Sequence, residues 1–117
     1  MRHHNNIRKF GRETGQRKAL LSSLASNIIE HRKIQTTEAK AKALRPFIET
    51  LVTKAKENTL STRRLLVRRL LGREDAAKKL IDSIAPSYKA RPGGYTRIVK
   101  LQNRLSDGSP MAVIEFV

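Results

Sequence analysis

The sequence predicts an α+β fold, with about four helices packed on a small mixed sheet made from a C-terminal antiparallel hairpin and a short strand after the first helix. Three observations predict it. Apolar residues recur at helical spacing in successive stretches from Leu20 to Ile84. After Pro92-Gly93-Gly94 the pattern changes to β character, in Tyr95–Leu101 and again in Met111–Val117. Between the first two helical stretches, Lys33-Ile34-Gln35-Thr36 alternates polar and apolar side chains, as an edge strand does. A chain of 117 residues suits one compact domain, so 1–117 is expected to fold as a unit.

The elements follow in order. Arg2 to Lys18 holds six cationic side chains, two histidines and one acid, with too few apolar residues for a core. Residues 1–13 therefore read as a basic arm, flexible when free and ordered by what it binds. Thr14 is the expected N-cap of the first helix, whose stripe is Leu20, Leu21, Leu24, Ala25, Ile28 and Ile29, ending near His31. Thr36 or Thr37 before Glu38 starts the second, with Ala43, Leu44, Phe47, Ile48, Leu51, Val52 and Ala55 inward and a kink expected at Pro46. The third runs from about Ser61 to Leu71, with Leu66, Val67 and Leu70 inward and Gly72 as its stop. Glu74 and Asp75 open the fourth, where carboxylates complement the helix dipole. Ala77, Leu80, Ile81 and Ile84 form its stripe, and Ala85-Pro86 is expected to end it. Asp107-Gly108-Ser109-Pro110 supplies the turn before the last strand. A lone hairpin is marginal in water, so these strands must pack on the helices.

Charge bounds the function. There are 25 Lys and Arg against 10 Asp and Glu, a formal charge of +15 and a pI near 11.2. Such self-repulsion makes most sense beside a polyanion, and nucleic acid is the commonest. No apolar run is long enough for a membrane anchor, and no aromatic-and-lysine helix face supplies an interfacial one. The absence of cysteine excludes disulfides, thiolate metal sites and Cys nucleophiles. The opening Met1-Arg2-His3-His4-Asn5-Asn6 lacks a signal-like apolar stretch, so the chain is read as mature and cytoplasmic. The arm, the Arg63-Arg64 and Arg68-Arg69 pairs and the Arg91 to Arg104 hairpin agree in sign without balancing acids. Phosphate neutralisation needs positive charge and reach, and Arg adds bidentate hydrogen bonding.

Arg91-Pro92-Gly93-Gly94-Tyr95-Thr96-Arg97 has two readings. It is either a plain turn into a strand, or a loop pressing backbone amides and Arg97 against phosphate, with Tyr95 stacking on a base or packing in the core. His3, His4 and His31 have no group of acids nearby in sequence, so RNA contact or plain exposure fits them better than metal ligation. No Walker loop, GxSxG elbow, HExxH or carboxylate cluster appears, and no catalytic role is expected.

An ordered set of segments carries a family resemblance: Met1-Arg2-His3, Arg17-Lys18-Ala19, His31 through Ile34 into Thr36-Thr37, Lys40-Ala41-Lys42, Leu51 to Lys56, Arg63-Arg64, Gly93 to Ile98, Pro110-Met111-Ala112 and Ile114-Glu115. In these the chain resembles the bacterial large-subunit ribosomal protein L-seventeen family over nearly its whole length. The resemblance implies helices against a small mixed sheet, and a structural role on large-subunit ribosomal RNA near the nascent-chain exit tunnel. Neighbouring ribosomal proteins are its implied partners. By position it implies Arg2, His3, Arg17, Lys18, Arg63, Arg64, Tyr95, Arg97 and Lys100 as RNA-facing. The charge pattern adds His4, Arg8, Lys9, Arg12, Lys33, Arg91 and Arg104. No cofactor, metal, membrane or small-molecule substrate is expected. Two departures stand out: Ser106-Asp107 replaces the family's Gly-Asp, and Thr50 stands where a proline is usual while Pro46 lies one turn earlier. The chain ends at Val117, short of any longer family tail.

Two other functions compete. Ser61 to Ile84 can be read as a helix-turn-helix of a DNA-binding regulator, which preference for a duplex over folded ribosomal RNA would favour. A small ribonuclease toxin would need a general base and acid near a phosphate site, with loss of activity on replacing the histidines singly.

Overall fold

The computed structural model describes residues 13–117. The element order is α1 (Thr14–His31), β1 (Lys33–Thr37), α2 (Glu38–Ala55), α3 (Leu60–Arg69), α4 (Glu74–Lys79), β2 (Thr96–Lys100) and β3 (Met111–Phe116). The α+β class holds. The sheet has the order β1-β3-β2 and both pairings are antiparallel, so it is not the mixed sheet expected. The last strand is central because a hairpin partner takes one edge and β1, returning from α1, takes the other.

Strand alternation sets the two faces. Ile34, Ile114 and Ile98 lie in one row across the sheet, on the face covered by α2, with Ile114 fully buried. The next row, on the opposite face, is Lys33, Glu115 and Arg97. A single core joins Ala25, Ile28 and Ile29 of α1, Leu44, Ile48 and Leu51 of α2, Leu66 of α3 and Ala112 and Ile114 of β3. Each large aliphatic side chain buried this way contributes about 1.5–3 kcal/mol. Among the described residues, every buried side-chain polar atom has a hydrogen-bond partner.

The caps refine the expected boundaries. Glu13, not Thr14, is the N-cap of α1 and makes no side-chain cap bond, whereas Thr14 is already helical and accepts from the Arg17 guanidinium. The Thr37 hydroxyl accepts from Lys40 N at the start of α2, and Thr59 from Thr62 N at the start of α3. Helix α2 runs without a break through Pro46. At the end of α3, Gly72 is not the first left-handed residue. Leu71 is, with φ +54°; its N–H donates to Arg68 O and that of Gly72 to Val67 O. That is a Schellman close with leucine in the place glycine usually takes.

Pro86 does not stop the last helical stretch. After α4 the chain continues as a π-helical turn, Leu80–Ile84, and then a 3-10 turn, Ala85–Tyr88. Proline sits in the first turn of that new segment, where its missing N–H has no helical partner to lose. The widened turn keeps Leu80, Ile81 and Ile84 buried and delivers Tyr88 to the core.

Candidate nucleic-acid interface

The outer face of the sheet brings together Lys33 and Arg97, as the sequence alternation requires, but it sets a carboxylate between them. Arg97 donates from Nε (2.9 Å) and Nη2 (2.6 Å) to Glu115 Oε1. Thr96 beside it is buried and Ile98 packs on the core, so Arg97 does point outward. Its hydroxyl neighbour Thr96 donates to Glu49 Oε2 at 2.7 Å, fixing the strand on α2.

Several other candidates are likewise held by acids or amides. Lys100 Nζ lies 3.5 Å from Glu38 Oε1, which Lys42 also reaches at 3.0 Å. The Lys42 hydrogen bond, with help from Lys100, holds the Glu38 carboxyl below the usual range. Arg63 gives two hydrogen bonds to Asn58 Oδ1 and lies 3.8 Å from Asp82. Arg104 grips Asp107 through both carboxylate oxygens at 3.0 and 2.9 Å, and Ser109 N donates to the same carboxylate. That grip, by the Arg104 hydrogen bonds first, holds Asp107 well below the ordinary aspartate range. It also closes the turn around Ser106-Asp107, so the departure from Gly-Asp leaves a well-bonded loop there. Arg91 lies over the Tyr88 ring and donates to Gly94 O at 3.4 Å.

Tyr95 is corrected from an RNA-facing residue to a core anchor. It is 1% exposed, its ring is 5.1 Å from that of Tyr88, and its hydroxyl is 3.1 Å from Thr53 Oγ1. Lys56 Nζ sits 5.0 Å from the ring centroid. Burial pushes the Tyr95 hydroxyl up, but Lys56 and Thr53 together outweigh it and leave it below the usual phenol range. The reason for its burial is positional: Tyr95 precedes β2 on the side of the chain that faces α2, and a phenol there fills the space between Thr53 and Tyr88.

The helical side differs. Lys18, Arg64, Arg68 and Arg69 are exposed and, among the described residues, have no carboxylate within ion-pair distance. Arg64 and Arg68 are one helical turn apart on α3. Arg17 and Lys18 begin α1. Sequence reading counts Arg68 and Arg69 in the charge balance without making them contact residues; the absence of any acid between Leu60 and Gly72 was the available signal. The candidate contact residues Arg2, His3, His4, Arg8, Lys9 and Arg12 lie outside the described residues. As a helix-turn-helix, the α3–α4 pair is poorly suited, since α4 is short and opens with Glu74 and Asp75, which would meet phosphate.

Residues 20–117 match the family described as Ribosomal protein L17. The chain is 53% identical over 116 residues to the "Large ribosomal subunit protein bL17" of Methylacidiphilum infernorum, covering 99% of this chain and 88% of that protein. The protein of the same name from Persephonella marina is 54% identical over 118 residues, covering 100% and 95%. That of Neorickettsia sennetsu is 50% identical over 118 residues, covering all of both chains.

Proposed function

The chain belongs to the ribosomal protein L17 family, and from that premise we propose that it binds and stabilises large-subunit ribosomal RNA through Arg and Lys contacts to phosphate. The family is a structural, non-enzymatic component of the large ribosomal subunit, and the chain works there, in the cytoplasmic ribosome. It does so as a single domain, near the nascent-chain exit tunnel and beside other ribosomal proteins.

The observation that carries RNA binding is the cationic surface formed by the start of α1 and by α3, where four cations have no carboxylate within ion-pair distance among the described residues. Lys18, Arg64, Arg68 and Arg69 can meet phosphates without first leaving a carboxylate. Arg63, Arg97, Lys100 and Arg104 must exchange an internal partner for phosphate, which lowers their net contribution.

The test is affinity for large-subunit RNA as a function of salt. With about six to ten phosphates engaged, raising salt from about 50 to about 200 mM weakens binding roughly a thousandfold or more, because neutralised phosphates release condensed counterions. An affinity indifferent to salt would sink the electrostatic reading. Co-sedimentation with the large subunit that persists in high salt supports the structural role.

A further inference from the structure

Between α1, α2 and the end of α3 lies a groove of about 450 Å³ lined by Lys18, Leu21, Phe47, Arg68, Arg69 and Leu71. Its floor is apolar and its rim cationic. A volume of that size, with apolar lining and a few polar groups, lies in the range of small-molecule sites. We propose that this groove receives an unstacked nucleobase, with the flanking phosphates held by Lys18, Arg68 and Arg69. This deepens, and rests on, the RNA-binding reading above.

Two independent features support it. First, Phe47 is only half-buried, so its ring packs on the core and also presents surface to the groove. Aromatic and aliphatic surface beside unpaired cations is the chemistry that takes up a base and its phosphates together. Second, Leu71 is 52% exposed and stands in the left-handed region at φ +54°. Glycine is the residue that this Schellman position favours, because a Cβ there meets the neighbouring carbonyl. The strain and the exposure of a large apolar side chain both run against stability in the free protein. A base packed against Leu71 gives that side chain a partner.

The competing occupant is the chain's own basic arm, whose Ile7 and Phe10 are apolar. Charge argues against it. The arm carries Arg2, Arg8, Lys9 and Arg12 without an acid before Glu13, and the rim of the groove carries the same sign.

The experiment uses the full chain and two probes: an oligoriboadenylate of about 12 nucleotides, and an oligomer with the same number of phosphates on abasic ribose. The base-bearing probe should bind about tenfold tighter and shift the Leu21 and Leu71 methyl resonances through its ring current. Leu71→Gly, which relieves the left-handed strain and so keeps the fold, should abolish most of that preference and leave abasic binding unchanged. Arg68→Gln with Arg69→Gln should weaken both probes alike. Equal affinity for the two probes, or a preference that survives in Leu71→Gly, overturns the groove while leaving the phosphate reading intact. Failure of both probes to bind in a salt-dependent way overturns the phosphate reading itself. Nuclear Overhauser contacts from Ile7 or Phe10 to Phe47 that persist with the base-bearing probe assign the groove to the arm and overturn the proposal.

Discussion

Replacing Tyr95 separates a core anchor from a stacking residue. The ring is 1% exposed, against Tyr88 on one side and under Lys56 on the other, so Tyr95→Ala removes a whole buried aromatic and leaves a cavity. Comparable truncations cost about 3–5 kcal/mol. Tyr95→Phe removes only the hydroxyl. Thr53 Oγ1 also bonds to Glu49 O at 3.0 Å, so it has a second partner besides the Tyr95 hydroxyl. Thr53 therefore keeps a partner in the variant, and the loss falls at the low end of the usual range, about 0.5–1 kcal/mol. Urea denaturation followed by circular dichroism reads both values. RNA affinity measured on the folded fraction should match the parent in Tyr95→Phe. If Tyr95→Ala stays within about 0.5 kcal/mol of the parent yet loses RNA affinity, the ring is a stacking surface and the burial argument is wrong.

Arg97→Ala should cost only about 0.2–1 kcal/mol of stability, because the Arg97 side chain is 59% exposed in its pair with Glu115, and should weaken RNA binding by less than the roughly 1–3 kcal/mol of a cation with no internal partner to leave. Glu115→Gln should do the opposite to binding, tightening it because Arg97 no longer has to leave a carboxylate to meet phosphate; weaker binding in that variant would mean that Glu115 positions Arg97. Gly94 has φ +64° and open space where a Cβ would stand, so Gly94→Val should destabilise by about 1–2 kcal/mol through backbone strain alone, seen in urea melts, whereas a parent-like midpoint would show that the turn relaxes. Asp107 has its folded pKa depressed chiefly by Arg104, so its stabilisation is full above the unfolded aspartate value of about 4 and fades as pH falls through the lower folded value. Carboxyl resonances should show Asp107 still ionised at about pH 3, and Arg104→Ala should raise it toward the ordinary aspartate range, short of it by what the Ser109 bonds keep; a normal titration in the parent would refute the pairing.

Local chemistry is legible in a linear sequence, and partner choice is not. Helix stripes such as Leu44, Ile48, Leu51 and Val52 follow from a period that every turn repeats, and the Thr37 cap follows from an adjacent hydroxyl and amide. The outward direction of Arg97 likewise follows from strand alternation. The closing of α3 by Leu71 was not legible, because Gly72 next door satisfies the same expectation. Nor was the passage of the helical path beyond Pro86, which depends on a widened turn held by the buried Leu80, Ile81 and Ile84.

The sequence by itself determined the class of fold, the surplus of positive charge and the ordered segments that mark the family, since each depends on residue identity or on neighbours a few positions apart. Only the tertiary structure decided which cations are available to a partner. Arg97 meets Glu115 across a strand pairing, Arg63 nears Asp82 from another helix, and Lys18 joins Arg68 and Arg69 although α1 and α3 are distant in sequence. Tyr95 was assigned inward for the same reason, by Thr53 and Tyr88. Electrostatic and packing partners are set by distances of a few ångströms in space, and those distances exist only once the chain has folded.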